Sequence, residues 1–412
     1  MFRKRFTKFL NLNRRAQTRV YLDFASRTPI DTEVLRSMTN AYREFAGNPS
    51  ALYKEGVYAK NELMKAKESI AVEIGAHGDE IICTSGGTES DNVAILGVIK
   101  EYKSKNPTLT PHILISAIEH SAIFEIQKES EILGVKIETV PVDSEGVVDM
   151  QVLSKMLRPE TILVSIMYVN NEIGTVEPIE EIAKVIRRYK KELERFTDNS
   201  YPLFHTDAVQ ALNYIPLRVA KLGVDLLSIS GGKIYGPHGT GLLFVKRGTP
   251  IKNIFFGGSQ EGGMRPGTES VPHIIGLSEA VTKASLIRHA EVERLGVLQK
   301  YLLDELPRVW PGLSINGSLV HRIVNNVHMS VPDFSSELLV IELDALGFAV
   351  SSKSGCKSTD PEMSHVLKVI RNTKSSLSSA DIRITMGRTT TRNDIEKFLL
   401  ALKKITKKYN IR

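Results

Sequence analysis

The chain has 412 residues, 42% of them hydrophobic, which predicts two or three domains, or one large domain with an appendage. The formal net charge is +7, but residues 1–22 carry seven basic and no acidic side chains, so the other 390 residues carry 47 of each sign. A nucleic-acid surface on this neutral body is therefore not supported. No run approaches the roughly 18 apolar residues of a membrane span, and two cysteines exclude a disulfide scaffold and favour a reducing compartment.

A basic segment precedes the first predicted strand. Residues 1–19 are Arg-rich and free of acidic residues, as organellar transit peptides are, but they contain no Ser. The interpretation we favour is a basic N-terminal tail that is solvated and precedes the strand-like stretch RVYLDFA. We therefore expect a cytoplasmic protein, with a mitochondrial location as the alternative if the segment is a transit peptide.

From residue 59 onward, apolar strand-like segments alternate with segments of helical period. This alternation predicts βα units and a mainly parallel sheet. The predicted strands are 80–87, 112–116, 161–169, 203–206 and 224–230, and the predicted helices are 59–75, 88–103, 121–134 and 177–196. Beyond a long helix at about 272–305 the pattern becomes α+β, with a last helix at about 393–409, which predicts a second, smaller domain.

Polar segments follow several predicted strands, where the ligands of open α/β sheets lie. SGGTES (85–90) ends a strand and opens a helix, so glycine backbone and a helix N-terminus favour a phosphate there, although a plain helix cap explains it equally. In HTDAVQA (205–211), Asp207 pairs with a cationic ring nitrogen or caps a helix. His120 stacks on a flat cofactor or is structural, and the two amides of YVNNEIGT (168–175) form a site or a turn.

Lys233 lies in SGGKIYGP (230–237), between two glycines and a Tyr-Gly-Pro turn. A lysine held in such a partly dry bend is suited to Schiff-base formation. A phosphate site, a ring-nitrogen Asp, a stacking His and a Schiff-base Lys are together the requirements of pyridoxal 5′-phosphate (PLP). Four such signals on successive strand ends point to that cofactor more strongly than any one of them.

Two further side chains suggest chemistry in the second half of the chain. Cys356 lies in the polar segment 351–367, predicted as a loop, where Lys353 and Lys357 would stabilise a thiolate. Cys83 is instead predicted to be a small core residue. Arg383, in the strand-like DIRITM, requires an anionic partner, which is either a substrate carboxylate or a structural ion pair.

Taken in order, these motifs resemble the cysteine desulfurases of the class V aminotransferase group, which are fold type I PLP enzymes. The resemblance spans about residues 20–410. It rests on YLDFASRTP, GNPSALYKEG, TSGGTESDN, EH, VNNEIGT, HTDAVQ, SGGKIYGP, RPGTES, SSKSGC with SHVL, and IRITMGR. It implies an α/β fold with a large PLP-binding domain (31–288) around a mainly parallel seven-stranded sheet. It also implies a small α+β domain (20–30 and 289–412) that carries the Cys356 loop, and a homodimer.

The resemblance also implies a role for each candidate residue. Lys233 binds PLP covalently, His120 stacks on its ring, Asp207 pairs with the ring nitrogen and Gln210 with the phenolic oxygen. The phosphate is bound by Gly87, Thr88 and Ser230, together with Thr268 of the partner subunit. Asn171 lies beside cofactor and substrate, Arg383 holds the substrate carboxylate, and Cys356 takes the sulfur atom of L-cysteine, leaving L-alanine and a persulfide.

Three departures from the family pattern qualify these expectations. Gly232 replaces a His that normally supports the phosphate, which predicts weaker cofactor retention than is usual. Tyr53 replaces another family His. The chain ends soon after its last predicted helix, so a tail for docking an iron–sulfur scaffold protein is not expected.

Three hypotheses follow. The first is a cysteine desulfurase that supplies persulfide sulfur for iron–sulfur clusters or thionucleosides, handing it to an acceptor or scaffold protein. The second is a selenocysteine lyase or another class V lyase or transaminase, which would share nearly all of these residues. The third is a catalytically decayed homologue that acts as a binding partner, which Gly232 alone suggests. No metal, nucleic acid or membrane is expected to bind.

Overall fold

The computed structural model describes residues 19–193, 201–352, 364–371 and 379–411. In chain order the strands of these residues are β1 (Val20–Tyr21), β2 (Ile81–Thr84), β3 (His112–Ser116), β4 (Lys136–Val140), β5 (Thr161–Ser165), β6 (Leu203–Asp207), β7 (Leu226–Ser230), β8 (Gly241–Val245), β9 (Ser314–Ile315), β10 (Asn326–Pro332), β11 (Phe348–Ala349) and β12 (Ser379–Thr385).

The α-helices of the same residues are α1 (Thr32–Glu44), α2 (Lys54–Ile74), α3 (Gly87–Lys105), α4 (Ser121–Phe124), α5 (Ser130–Leu133), α6 (Met150–Met156), α7 (Ile179–Leu193), α8 (Val219–Leu222), α9 (Val271–Val309), α10 (Ser336–Ala345), α11 (His365–Ile370) and α12 (Arg392–Lys408). Among the described helices, none is both long and apolar enough to cross a membrane.

A seven-stranded sheet with the order β2-β8-β7-β6-β5-β3-β4 forms the centre of the molecule. Its neighbouring strands pair in parallel except at β8, which is antiparallel to both β2 and β7. Strands β3, β5 and β6 are buried at every residue, as expected for strands covered on both faces. Because β3 to β7 run parallel to one another, their C-terminal ends lie together at one edge of the sheet, here called the carboxyl edge. Their N-terminal ends lie together at the opposite edge, here called the amino edge.

Helices cover both faces of this sheet because their sequences are amphipathic. In α7 the buried residues are Ile179, Ile182, Ala183 and Ile186, a helical stripe that faces the sheet. They join a core cluster that includes Leu114 of β3. Alternate strand residues such as Ile113 face the opposite cluster, which α3 covers. The result is a helix–sheet–helix arrangement.

The long helix α9 connects this unit to a second core. Its first part packs in the central cluster through residues such as Leu277, whereas Leu295 and Leu302 pack in a separate cluster with Ile382 of β12. That second cluster surrounds a three-stranded antiparallel sheet of order β12-β10-β9. The N-terminal strand β1 pairs in parallel with β11 in a separate two-stranded sheet, whose Val20 and Phe348 pack in the same second cluster.

The predicted fold class, an α/β protein with a mainly parallel seven-stranded sheet and a smaller α+β part, is confirmed. Two of the seven strands, β4 and β8, were not predicted from the sequence. The predicted helix 121–134 is wrong in detail, because α4 and α5 are joined by a 3₁₀ segment (Glu125–Glu129). The predicted strand 161–169 ends already at Ser165.

Candidate active site

A cavity of about 290 Å³ lies at the carboxyl edge of the seven-stranded sheet. Seven of its ten lining residues are polar or charged, and the lining comes from six separate chain segments. The lining residues are Ala25, Ser26, His120, Met167, Asn171, Asp207, Val209, Gln210, Lys233 and Arg383. Six of the side chains predicted from the sequence (His120, Asn171, Asp207, Gln210, Lys233 and Arg383) therefore converge here, from segments up to 263 residues apart in the chain.

Asp207 is the last residue of β6 and supplies a buried carboxylate to the cavity. Its Oδ1 accepts a hydrogen bond from the backbone N–H of Val209 at 2.9 Å. Burial raises the pKa of Asp207 to about 6, while the backbone hydrogen bond and the charge of Lys233 act in the opposite direction. A cation bound in the cavity would favour the ionised form of this carboxyl further.

Lys233 ends a 3₁₀ turn that follows β7 directly. A Cβ at Gly231 would lie 2.7 Å from the carbonyl oxygen of Pro237, so this turn needs a glycine there. Asn213 Nδ2 donates to the Lys233 carbonyl at 2.7 Å and fixes its backbone. The Lys233 amine donates to the carbonyl oxygen of Ser26. The lysine is thus held rigidly at a strand end, with its amine at the cavity wall.

His120 and Gln210 are both oriented by backbone contacts. His120 Nδ1 accepts from the N–H of Ala122 at 3.1 Å, which places the proton of the neutral imidazole on Nε2. Gln210 Nε2 donates one of its hydrogens to the carbonyl oxygen of Ala25 at 3.0 Å. Because an amide nitrogen carries two hydrogens, Gln210 keeps a second donor for a ligand.

Arg383 is 1% exposed and joins the small sheet to the cavity. Its Nη2 donates to Asp23 at 2.8 Å and to Ser26 Oγ at 2.7 Å, and its Nη1 donates to the carbonyl oxygen of Asn171 at 2.9 Å. Its Nε has no hydrogen-bond partner among the described residues. Arg383 therefore forms a structural ion pair with Asp23, one of the two alternatives considered from the sequence. Its guanidinium also lines the cavity, so a role in substrate binding stays open.

The expected phosphate segment forms the N-terminus of α3. The helix follows Gly86 (φ 152°), and no side chain of the described residues caps its first amides. A Cβ at Gly87 would lie 2.7 Å from Val209 and 3.8 Å from the Cβ of Ser230, so backbone approaches closely here. Thr88 is exposed beside them. Gly232 lies next to His238, whose Cδ2 would be 3.5 Å from a Cβ at that position.

Four of the described residues that were predicted for the site, Gly87, Thr88, Ser230 and Thr268, do not line this cavity. Thr268 is exposed and lines a separate cavity of about 110 Å³ together with Ser85, next to the start of α3. That position neither supports nor excludes its expected role across a subunit interface. Cys356, with Lys353 and Lys357, lies outside the described residues. Cys83 is buried, and burial raises the pKa of its thiol well above the usual range, in keeping with a core residue.

The sequence did not single out several residues that build the site. Ser26 and Asp23 belong to YLDFASRTP, at the end of the strand-like stretch RVYLDFA, but no glycine turn marked this segment as functional. Beneath the cavity lie two more buried carboxyls, Asp91 and Glu119. A carboxyl on the buried face of a predicted helix or strand end is the signal that could have found them.

The residues present fit PLP. A Lys amine, an Asp carboxylate and an imidazole surround one cavity, and an uncapped helix N-terminus lies beside it. Arg383 also lines the cavity, and its buried Nε has no hydrogen-bond partner among the residues that the structure describes. The lysine amine suits the aldehyde of PLP, the aspartate carboxylate suits its ring nitrogen and the imidazole suits its ring face. The helix N-terminus suits its phosphate.

The fold and the site together define an α/β enzyme with a lysine and an aspartate at the carboxyl edge of its sheet. Residues 20–398 match the aminotransferase class-V family, whose enzymes use PLP, and the chain belongs to this family. It is a full-length homologue of cysteine desulfurases. It is 43% identical over 389 residues to the cysteine desulfurase IscS of Dictyoglomus turgidum, covering 94% of this chain and 95% of that protein.

Solved structures agree with this relationship. A NifS-like protein superposes with a TM-score of 0.85 at 32% identity, covering 95% of this chain and 100% of that one. A structure described as SspA in complex with cysteine superposes with a TM-score of 0.75 at 30% identity, covering 90% and 99%. The predicted family is confirmed.

Proposed function

We propose that this chain is a PLP-dependent cysteine desulfurase that converts L-cysteine to L-alanine and leaves the sulfur as a persulfide on Cys356. The observation that carries the proposal is the convergence of Lys233, Asp207, His120 and Arg383 on one cavity. Full-length similarity to cysteine desulfurases supports the choice of reaction.

The cofactor would be held by side chains that already have fixed positions. Lys233 would bind it covalently through its amine, Asp207 would pair with its ring nitrogen and His120 would lie against its ring. Gln210 would donate its second amide hydrogen to the phenolic oxygen. The phosphate would bind at the start of α3 through Gly87 and Thr88, together with Ser230.

When bound, PLP supplies an electron-accepting ring that stabilises the electron pair left on a substrate carbon when a bond to that carbon breaks. Arg383 would bind the substrate carboxylate, and Asn171, whose carbonyl it contacts, would border the substrate. Lys233 Nζ would carry the proton that leaves and returns to carbon. Asp207, kept ionised by the cation it faces, would balance the charge of the ring nitrogen.

The sulfur transfer in this proposal balances without an external oxidant. The Cys356 thiolate attacks the sulfur atom of the substrate, an S–S bond forms and the C–S bond breaks. The electron pair stays with carbon, which gains a proton. L-cysteine and a thiol thus give L-alanine and a persulfide, whose terminal sulfur an acceptor or iron–sulfur scaffold protein would remove.

The assembly and the domain limits are also proposals. A homodimer is supported by the family resemblance. A division into residues 31–288, and residues 20–30 with 289–412, is supported by the two core clusters that α9 connects. A reducing, cytoplasmic location suits a reactive thiol and a buried free Cys83.

The first experiment is a visible absorption spectrum of the purified protein before and after L-cysteine is added. We expect a yellow protein whose absorption band shifts with L-cysteine, because substrate displaces the Lys233 amine. A protein that stays colourless with added PLP would contradict the proposal and favour a decayed homologue with a binding role.

A second experiment tests Cys356 as the sulfur acceptor and separates the desulfurase from a selenocysteine lyase, because in a lyase the cleavage of selenocysteine would survive Cys356→Ala. Cys356→Ala should abolish sulfide release from L-cysteine while leaving the spectral shift intact, because substrate binding does not need the thiol. Cys83→Ala is the matched control and should keep sulfide release. Sulfide release that survives in Cys356→Ala would contradict the assigned sulfur acceptor.

A further inference from the structure

A second carboxyl lies beneath Asp207 on the neighbouring helix. Asp91 of α3 is 1% exposed, and its Oδ1 has no hydrogen-bond partner among the described residues. No Lys or Arg of those residues forms an ion pair with it, and the only basic group nearby is His205, whose Nε2 lies 3.7 Å from Oδ1. An ionised carboxylate here would be a buried charge without compensation, which is strongly unfavourable.

His205 cannot supply the missing positive charge. The side chain is fully buried, and its two ring nitrogens are both engaged by hydroxyl groups. Nδ1 is 2.8 Å from Ser165 Oγ, and Nε2 is 3.0 Å from Ser228 Oγ. Burial lowers the pKa of His205 to about 3, so the imidazole is neutral at physiological pH. Asp91 therefore faces a neutral array.

Sheet register places this array directly beside Asp207. Ser228 on β7 is the register partner of Asp207 on β6, and Ser165 on β5 is the register partner of His205. His205 and Asp207 are two residues apart on one strand, so their side chains leave the same face. The Ser228 hydroxyl also acts to lower the pKa of Asp91, so Ser228 lies beside the helix carboxyl as well as beside Asp207.

The carboxyls at this edge cannot all be ionised together. Burial and then the negative charge of Asp207 raise the pKa of Asp91 well above its usual range, although Ser228 opposes this, and Glu119 adds a smaller effect. Burial raises the pKa of Glu119 to about 8, despite hydrogen bonds from Ser116 and the N–H of Met167. Asp207 alone opens to the cavity and faces Lys233.

We propose that Asp91 is a positioning residue of the cofactor site: it is a neutral carboxylic acid that donates its proton into the Ser228–His205–Ser165 array and leaves Asp207 as the carboxylate facing the cavity. The proposal rests on the proposed function for the role of Asp207, but not for the protonation state of Asp91. The array fixes the ends of β5, β6 and β7 relative to α3. Asp207 thereby keeps both its orientation and its charge.

The protonation state is tested on the protein without cofactor, so failure of the proposed function would not affect it. Infrared difference spectra of wild type minus Asp91→Asn at pH 7 should contain the C=O stretch of a protonated carboxylic acid. Asp79→Asn is the matched control, because hydrogen bonding to Arg247 lowers the pKa of Asp79 to about 2 and its difference spectrum should contain carboxylate bands. Carboxylate bands for Asp91→Asn would overturn the proposal.

The positioning role is tested on the PLP-loaded protein. Asp91→Asn keeps the shape and a donor, so the pH titration of the cofactor absorption should stay at the wild-type midpoint. Asp91→Leu removes the donor, so PLP should bind about tenfold more weakly, the cost of one buried hydrogen bond, and the titration midpoint should shift. A shifted midpoint in Asp91→Asn, or an unshifted one in a folded Asp91→Leu, would overturn it.

Discussion

The two edges of the seven-stranded sheet each carry a cavity, and they differ in how their charges are compensated. The amino-edge cavity is larger, about 450 Å³, and is lined by basic residues of α7 such as Arg187 and Lys190. Its carboxylates have partners: Asp225 accepts from the N–H of Phe204 at 3.0 Å, and Glu80 accepts from the N–H of Arg247 at 2.9 Å.

The cavity at the carboxyl edge is smaller, about 290 Å³, and more of the buried polar atoms around it lack hydrogen-bond partners. Asp91 Oδ1, Glu119 Oε2 and Arg383 Nε all lack hydrogen-bond partners among the described residues. A buried polar atom without a hydrogen-bond partner destabilises a protein, and such atoms are found where a ligand supplies the missing partner. Cavity size alone would have pointed to the wrong edge, whereas buried polar atoms without hydrogen-bond partners among the described residues point to the edge where the family resemblance expects the chemistry.

The largest difference between the edges should appear when each loses a lysine. Lys233→Ala should abolish the covalent cofactor absorption and lower the rate of sulfide release by about 10³-fold or more, as loss of a nucleophile does. Lys246→Ala at the amino-edge cavity should leave both unchanged. The measurement is a spectrum and a sulfide assay on both variants, and equal losses would contradict the assignment of the active edge.

The second comparison is between Asp207 at the carboxyl edge and Asp225 at the amino edge. Asp207→Asn should lower kcat by roughly 10²- to 10³-fold, because it removes the charge that the ring nitrogen needs. Asp225→Asn should instead affect thermal stability, since it weakens only the hydrogen bond to Phe204 and the contact with Lys246. Steady-state kinetics and thermal denaturation of both variants separate the two effects. A wild-type kcat in Asp207→Asn would contradict the proposal that Asp207 pairs with the ring nitrogen of PLP.

Arg383 combines a structural and a substrate role, and a paired variant separates them. Arg383→Lys should raise KM for L-cysteine about tenfold or more, because a single ammonium cannot replace a bidentate fork. Asp23→Asn keeps the guanidinium but weakens its ion pair, and it should leave KM nearly unchanged. An equal rise of KM in both variants would show that Arg383 acts only through Asp23.

A buried carboxyl outside both cavities should affect stability but not catalysis. Burial raises the pKa of Glu177 to about 8, against a hydrogen bond from the N–H of Val148, and Oε1 has no partner among the described residues. Because its folded pKa lies above the unfolded value, the stability it contributes is full below about pH 4.5 and is lost as pH rises through 8, by at most about 1.4 kcal/mol per pH unit.

Glu177→Gln removes this titration and should raise Tm relative to wild type, increasingly so from pH 5 to pH 9. Glu342→Gln is the control, because hydrogen bonds from Lys408 and Tyr409 lower the pKa of Glu342 and keep its contribution constant over that range. Thermal denaturation across pH measures both variants. A constant Tm difference for Glu177→Gln would mean that Glu177 is ionised throughout.

The smallest expected effect concerns the glycine beside Lys233. A Cβ at Gly232 would meet His238 only at ordinary contact distance, so Gly232→His should fold. If the missing imidazole weakens phosphate binding, the variant should lose PLP a few-fold more slowly during dialysis than wild type, the effect of about one hydrogen bond. If wild-type protein keeps all of its PLP after long dialysis, the prediction of weaker cofactor retention is wrong.

The sequence predicted those parts of the site that stand at strand ends. Lys233, Asp207 and His120 follow apolar strands, and the parallel sheet brings such ends to one edge. The family was also recognisable from ordered motifs. The buried array of Asp91, His205 and Ser228 was not predicted, because a polar residue on a covered face looks like any surface residue until the register of neighbouring strands is known.

Strand β8 was missed for a related reason. GLLFV follows a glycine-rich turn and reads as the continuation of the Lys233 loop, yet it inserts between β2 and β7 and runs antiparallel to both. Its position depends on pairing across more than 150 residues of chain. Local periodicity carries no information about such long-range pairing.

The short segment from Asp23 to Thr28 accepts hydrogen bonds from three distant parts of the chain: Lys233 at Ser26, Gln210 at Ala25 and Arg383 at Asp23. Asp23 and Arg383 are 360 residues apart. A ribosome therefore releases one side of this site at the beginning of synthesis and the other near its end. Until β12 has emerged, a growing chain lacks the guanidinium that would hold the substrate, so truncated products would be unable to bind it through this group.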